Sequence, residues 1–521
     1  MANERNANLW QSLGPYTSLL NLENVEFRAY QYNIINSVLL HGNTLVVLPT
    51  GLGKTFIGVA VIAHSLFASQ RALLLAPTKP LCEQHYTTLK QLLNVPESDI
   101  ALLLGSIGKK ERSEIEQRAK VIVATPQTIA NDLRSGSMSL DGFGVVVFDE
   151  CHHAVGKYAY TYIANECAVK GILILGLTAS PGSKPERVMT LVNTLNIRHI
   201  EVKTSIDPDV SPYVMPKYMH ITGVELSDTI KRMALLLRPV AEESLRSLRS
   251  VGLANFKSID TIPKGRLIQL GDEIKKISAP GFKFGALFSY IKLLHAVHAY
   301  DLLTTEGIYP FRFYLSSLSE RESKSRAVEA FLKNKGVVQT IEIADAAIRS
   351  GEEHPKVDAL INILNEYKGK SAIVFAQYRS TIKMLVEKLN AKSFSAVQFV
   401  GKKEGVTQEQ QKQTIADFRS GKFNILVASS IGEEGLDIPS VDLVVFYEPI
   451  PNEIRNIQRS GRTGRFRAGN VFVLFTRGTK DEIYLYVSRA REKKMASLLN
   501  YVNSKLERAA STSQSGKQAK L

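Results

Sequence analysis

Residues 43–55 read NTLVVLPTGLGKT, and the order of residue types in this stretch decides how the chain folds. NTLVV is short, continuously apolar and rich in β-branched residues, as a strand buried on both faces of a parallel sheet reads. LPTGLG brings turn chemistry, and KTFIGVAVIAHSLFAS beyond it is amphipathic with helical spacing. A glycine-bearing turn between a strand and a helix is a place where an anion can sit. Gly51 and Gly53 let the backbone around Thr50 and Leu52 turn its N–H groups onto phosphate oxygens, and the helix N-terminus adds partial positive charge. Lys54 can reach the β- and γ-phosphates, and the Thr55 hydroxyl can hold Mg²⁺. Leu48 stands where the commonest form of this loop has its first glycine.

Outward from that stretch the strand pattern repeats. RALLLAP, AKVIVATP, FGVVVFDE and ILILGLTAS alternate with amphipathic segments through residues 43–200, which predicts a parallel α/β sheet with helices on both faces. The pattern returns over 370–475 in KSAIVFAQ, SAVQFVG, FNILVASS, VDLVVFYEP and GNVFVLFT, so the chain carries two α/β units of similar size. Between them, from Thr204 to Ser350, strand-like runs are scarce and stretches such as DTIKRMALLLRPVAEESLRSLRSVGL predict several long helices. The end, AASTSQSGKQAKL, has no apolar periodicity and reads as disordered. The expected division is 1–203, first α/β unit; 204–350, helical insert; 351–500, second α/β unit; 501–521, tail.

Sixty-five Lys and Arg face 50 Asp and Glu, a formal charge of +15. That surplus suits a polyanion, whose phosphates release counterions on neutralisation, although a basic surface also serves solubility alone. Cys82, Cys151 and Cys167 show neither CxxC spacing nor an even-numbered framework, which points to a reducing interior without disulfides or structural zinc. The start, MANERNANLW, lacks the basic head and apolar run of a signal peptide, and no apolar stretch reaches the ~20 residues of a membrane span. A cytoplasmic protein is expected. Trp10 reads as a packing anchor, and His153, His295 and His298 as structural or surface groups.

FDECHH at 148–153 follows the strand FGVVV, so its two carboxylates fall at the C-terminal end of a parallel strand, where such sheets bind ligands. Asp149 is placed to orient Mg²⁺, and Glu150 to position or deprotonate an attacking water. In the second unit QRSGRTGR at 458–465 offers Arg462 and Arg465 as cations for a transferred phosphoryl group.

These motifs together resemble the superfamily 2 helicases. DECH is a variant of their DEAD/DEAH box, TAS at 178–180 is similar to their third motif, and SSIGEEGLDIP at 429–439 and QRSGRTGR are similar to their fifth and sixth. The resemblance implies two RecA-like domains in tandem and ATP with Mg²⁺ at the cleft between them. It implies that Gln458 meets the γ-phosphate or the water and that Gly435 and Asp437 help close the site. His152, Thr178 and Ser180 would couple hydrolysis to nucleic-acid binding. FRAYQ at 27–31 resembles the adenine-recognition segment, with Gln31 reading the base edge and Arg28 assisting. APTKPLCEQH (76–85), ATPQTIANDL (124–133) and FAQYRST (375–381) resemble the segments that grip the sugar-phosphate backbone, which points to Thr78, Thr125 and Thr381.

More narrowly, DECHHAVGKYAYTYIA, GLTASPGSKPERVMTLVNTLNI and APTKPLCEQH resemble the helicase part of the archaeal Hef and eukaryotic Fanconi-anaemia M group, over roughly 20–205 and 350–480. That likeness implies action on branched DNA such as forks and junctions, an insert that grips duplex, and replication or repair proteins as partners. It leaves oligomeric state open. Many Hef proteins add a nuclease, for which 521 residues leave no room, so no nuclease activity is expected. Two other readings stand beside this one: a double-stranded-RNA-dependent ATPase of the RIG-I/Dicer type, and a clamp that uses ATP only as a conformational ligand.

Overall fold

A computed structural model describes residues 12–23, 25–26, 28–49, 51–156, 158–179, 181–182, 185–204, 207–213, 217–256, 258–400, 406–429, 441–449, 469–487, 497–498, 501–502 and 504. The first α/β unit holds β1 (Thr44–Val47), β2 (Arg71–Leu75), β3 (Ile100–Leu103), β4 (Val121–Ala124), β5 (Phe143–Phe148), β6 (Leu173–Thr178) and β7 (His199–Val202). They form one sheet in the order β3-β4-β2-β5-β6-β1-β7, and every pairing is parallel. From β1 the chain crosses through the helix Lys54–Phe67 to β2, leaving the places that β5 and β6 fill later. All the strands point the same way, so the segments after β1, β2, β4, β5 and β6 collect along one edge. The helix Lys54–Phe67 is buried from Phe56 to Ala63, which is why its sequence is apolar nearly all round. Gly58 keeps it close: a β-carbon there would lie 3.4 Å from Leu177 and 3.5 Å from Val147.

The second unit has six parallel strands in the order β10-β11-β9-β12-β13-β8, where β9 is Ala372–Phe375, β10 Ala396–Phe399, β11 Ile425–Ala428, β12 Leu443–Phe446 and β13 Gly469–Thr476. Its sixth strand is a correction to the sequence reading. β8 (Lys217–Val224) lies inside the stretch taken as helical, yet pairs with β13 along its whole length, from Lys217↔Gly469 to Val224↔Thr476. As an edge strand it needs only one covered face, so KYMHITGV carries no continuous apolar run, and Met219 is 55% exposed.

Between β8 and β9 lie the helices, led by Asp228–Ser250 and Pro280–Asp301, which pack along each other around one apolar core. Ser227 opens the first by accepting a hydrogen bond from the Ile230 N–H. The second runs into a π turn, Leu302–Glu306, whose residues are all buried. Here the insert meets the second sheet through a buried polar seam. Lys480 pairs with Asp301 at 2.8 Å, and Thr381 donates to the Glu306 carboxylate at 2.9 Å. Tyr447 donates to the Glu306 carbonyl, His354 donates to the Thr304 carbonyl, and Lys356 meets Asp481 at 2.9 Å with both side chains buried. Glu353 caps the helix Ile308–Ser319 by accepting from the N–H groups of Ile308 and Tyr309. Gly307 (φ +133°) leaves room for that carboxylate, since a β-carbon there would come within 2.4 Å of Glu353 Oε1.

The far end of the chain also departs from expectation. Val502, just inside the stretch read as a disordered tail, is 2% exposed and joins the core of the first unit with Leu498 against it. Among the described residues no helix is long and apolar enough to cross a membrane.

Candidate active site

The segment after β1 is shaped by two glycines in the left-handed region, Gly51 (φ +83°) and Gly53 (φ +77°). Gly53 is also the N-cap of Lys54–Phe67. A β-carbon on it would fall 2.3 Å from the Gln31 amide nitrogen, so glycine is required on conformational and on steric grounds. Lys54 donates to the Leu48 carbonyl at 2.9 Å, which keeps its ammonium at the loop it is expected to serve. Thr55, one residue further, lies in the first turn of the same helix.

The adenine-recognition residues close on this loop from the helix Ala29–His41. Gln31, 4% exposed, donates its amide N–H to the Leu52 carbonyl at 3.3 Å. Its amide oxygen has no hydrogen-bond partner among the described residues. Tyr30 donates to the same carbonyl at 2.7 Å and accepts from Arg28 at 3.2 Å, and the Arg28 guanidinium lies 5.2 Å over the Tyr213 ring. Sequence reasoning passed over Tyr30, although it sits between the two residues chosen in FRAYQ.

Asp149 and Glu150 follow β5 on the same edge. Asp149 is buried and accepts from His85 Nε2 at 2.7 Å. Burial opposes its charge, but His85 and Lys54 outweigh that penalty and hold the carboxyl below the usual range. The sequence signal for His85 is the last residue of APTKPLCEQH, on the helix after β2, the strand beside β5. Glu150 adopts a left-handed backbone (φ +47°, ψ +45°), rare outside glycine and costly by ~1–3 kcal/mol unless the surroundings impose it. One of its carboxylate oxygens is buried without a hydrogen bond among the described residues. It lies 3.3 Å from His152 Nδ1 without forming a hydrogen bond to it. That nitrogen instead shares a 3.0 Å hydrogen bond with the Thr178 hydroxyl, and the Thr178 carbonyl accepts from the Leu48 N–H at 3.1 Å. A continuous path therefore runs from Glu150 through His152 and the end of β6 to the loop after β1.

The expected backbone-gripping residues divide. Thr78 and Thr125 are N-caps of the helices after β2 and β4, on the same sheet edge. The Thr78 hydroxyl is buried without a partner among the described residues, and that of Thr125 shares a 3.0 Å hydrogen bond with Thr128. Thr381 is corrected. It is fully buried in the helix Arg379–Ala391 and bonded to Glu306, so its hydroxyl faces the seam rather than a passing strand. Of the structural histidines, His295 bonds to Tyr314 and His298 meets the Tyr314 ring edge-on. Trp10, Thr50, Ser180, Gly435, Asp437, Gln458, Arg462 and Arg465 lie outside the described residues.

The donors fit Mg²⁺ in kind. Among the described residues no cluster of three or more His, Cys, Asp or Glu could hold a metal alone. One carboxylate, Asp149, and one hydroxyl, Thr55, match a small hard cation that takes its remaining ligands from phosphates and water. At the same edge the buried oxygen of Glu150 makes no hydrogen bond among the described residues.

Three family models match successive parts of the chain: "Type III restriction enzyme, res subunit" over 24–183, "Putative ATP-dependent RNA helicase, helical bundle" over 229–348, and "Helicase conserved C-terminal domain" over 355–467. The solved structure of the Hef helicase domain from Pyrococcus furiosus is 41% identical with a TM-score of 0.71, covering 90% of this chain and 100% of that one. "Putative ATP-dependent RNA helicase MJ1505" of Methanocaldococcus jannaschii is 38% identical over 490 residues, 92% of this chain and 62% of that protein. "ATP-dependent DNA helicase fml1" of Schizosaccharomyces pombe is 32% identical over 485 residues, 88% and 58% respectively. The chain thus spans about 60% of the length of these curated relatives.

Proposed function

The chain belongs to the superfamily 2 helicases, in the group of Hef and the Fanconi-anaemia M proteins, and from that premise we propose that it moves along or remodels branched DNA at the expense of ATP. Forks and junctions are the proposed substrates, replication-fork repair the setting, and replication or repair proteins the partners. The observation that carries the reading is the path from Glu150 through His152 and Thr178 to the loop Gly51–Thr55. It joins the group that would act on water to the group that would hold phosphate.

In this reading Gln31 and Arg28 recognise the base, the loop and Lys54 hold the phosphates, and Thr55 and Asp149 hold Mg²⁺. The cation, when bound, supplies positive charge against the phosphate oxygens. Glu150 accepts the proton of the water that attacks the γ-phosphorus, as the bond from that phosphorus to the bridging oxygen breaks. Gln458, Arg462 and Arg465 approach from the second unit with Gly435 and Asp437, so hydrolysis requires the two units to close. The loose transition state gathers charge on the equatorial oxygens, where arginines lower the barrier most.

A second reading is favoured by the name of the Methanocaldococcus jannaschii relative and by that of the helical-bundle family, both of which say RNA. Phosphate release measured with forked DNA, plain duplex DNA and double-stranded RNA, beside strand displacement, separates the two. Strongest stimulation by the fork is expected. Strongest stimulation by RNA overturns the DNA assignment, and no stimulation by any of them turns the protein into an ATP-gated clamp.

A further inference from the structure

The helix Pro280–Asp301 leaves one face uncovered, and that face has an unusual composition. Phe284 is 73% exposed and Phe288 39% exposed, one turn apart, and the face ends a turn further on at Lys292, whose side chain is mostly buried. Phe282, 43% exposed, lies nearby on the first turn. Three residues before Phe284 and Phe288 stand Gly281 and Gly285, and an added β-carbon at either would meet nothing within 4 Å. Long side chains on a helix lean over the preceding turn. These two rings therefore lean over backbone that carries no side chain, which leaves Phe284 largely and Phe288 partly open to solvent. The Lys292 ammonium is 5.8 Å from the Phe288 ring centre and 3.8 Å from Glu243.

The surroundings are basic. Residues 264–292 hold Lys264, Arg266, Lys275, Lys276, Lys283 and Lys292 against Asp272 and Glu273. Arg266 pairs with Glu273 and Lys275 with Asp272. Lys276 and Lys283 have no acidic partner among the described residues, and Lys283 reaches only the Lys275 carbonyl. Exposed aromatic rings within a cationic border are what unpaired bases and their phosphates require together. An apolar partner protein would gain nothing from the lysines.

We propose that Phe284 and Phe288 stack against unpaired bases at the branch point of DNA, with Lys276 and Lys283 meeting the adjoining phosphates; the proposal rests on the DNA reading above. The rings are set ~6 Å apart along the helix axis. That exceeds the ~3.4 Å step of a duplex strand, so neighbouring bases meet them only when pulled apart. The face thus selects strands that have already separated and holds them apart from re-pairing.

The test uses the full chain and forked DNA carrying 2-aminopurine at the unpaired positions next to the branch, with a blunt duplex as control. Wild type should quench the 2-aminopurine on binding. Phe284→Ala/Phe288→Ala should lose the quench and bind the fork about tenfold or more weakly, with duplex affinity and circular dichroism unchanged. Phe284→Trp/Phe288→Trp should retain both the quench and the affinity. Phe284→Leu/Phe288→Leu, apolar but without a flat ring, should behave as the alanine variant. Leucine equal to phenylalanine overturns stacking and marks the face as an apolar dock. An intact quench in the alanine variant overturns this inference alone, whereas a wild type that binds no DNA overturns it together with the DNA reading.

Discussion

Cutting one buried charge pair inside the second unit tests how firmly the polar seam beneath the helical insert is held. Lys356 is 0% exposed at its side chain and Asp481 4%, with 2.9 Å between Nζ and Oδ2. The ammonium also lies 4.5 Å from the Tyr447 ring, and Asp481 accepts from the Thr476 N–H and hydroxyl. Asp481→Ala strands a buried ammonium, because Glu306, the nearby carboxyl of the seam, is itself pushed toward its neutral form by burial. Removing one partner of such a pair costs about 3–5 kcal/mol. In a unit of 150–250 residues that lowers the melting temperature by roughly 10 °C. Lys356→Met/Asp481→Leu removes both charges and should recover most of the loss, because a well-packed apolar replacement of a buried pair is often neutral. Thermal melting by circular dichroism gives the total, and hydrogen exchange at β13 and the helix Pro355–Glu366 locates it. A loss below about 1 kcal/mol for Asp481→Ala, or a double variant no better than the worse single one, would refute the reasoning.

Lys54→Ala and Glu150→Gln should each lower nucleic-acid-stimulated phosphate release by about 100-fold or more with unchanged melting, since loss of a positioned base alone costs ~10²–10⁴; near-normal turnover of Glu150→Gln would remove Glu150 as the base. Thr381→Val deprives the Glu306 carboxylate of its 2.9 Å donor and should cost about 1–3 kcal/mol of stability while leaving DNA affinity in a filter assay unchanged; weaker DNA binding at equal stability would restore the phosphate role. Burial, aided by Lys356, lowers the His354 pKa from 6.5 to about 3. The folded-state value lies below the unfolded one, so the stability His354 lends is full above about pH 6.5 and drains by ~1.4 kcal/mol per pH unit as pH falls toward 3. His354→Gln should flatten the fall of the urea midpoint with pH in that window, and an unchanged slope would show that His354 does not report it.

The legible parts of this protein were those whose chemistry is contiguous in the chain. A phosphate cradle needs glycines in the left-handed region, a lysine and a helix start within a few residues, and Gly51, Gly53 and Lys54 meet that demand side by side. Asp149 and Glu150 were legible because the end of a parallel strand aims the next residues into the crevice. The residues that complete the site were not, because they arrive from other elements. His85 reaches Asp149 from the helix behind a neighbouring strand, and Gln31 reaches Leu52 from the helix before β1. The pairing of β8 with β13 spans the whole insert, and no local pattern announces it.

Thr381 shows why a correct motif can still misplace a side chain. Its segment does follow a strand, β9, but the helix starts at Arg379, so helical phase rather than the strand end sets the direction of its side chain. Thr381 shares its buried face with Ile382 and Leu385, and a hydroxyl turned that way must find an acceptor or pay for desolvation. The acceptor is Glu306, whose own carboxylate is pushed toward its neutral form by burial despite the pull of Lys356. Each group in the seam is costly alone and tolerable only beside the others. The insert is therefore seated on the second sheet in the one orientation that satisfies all of them, an arrangement that apolar packing alone would not single out.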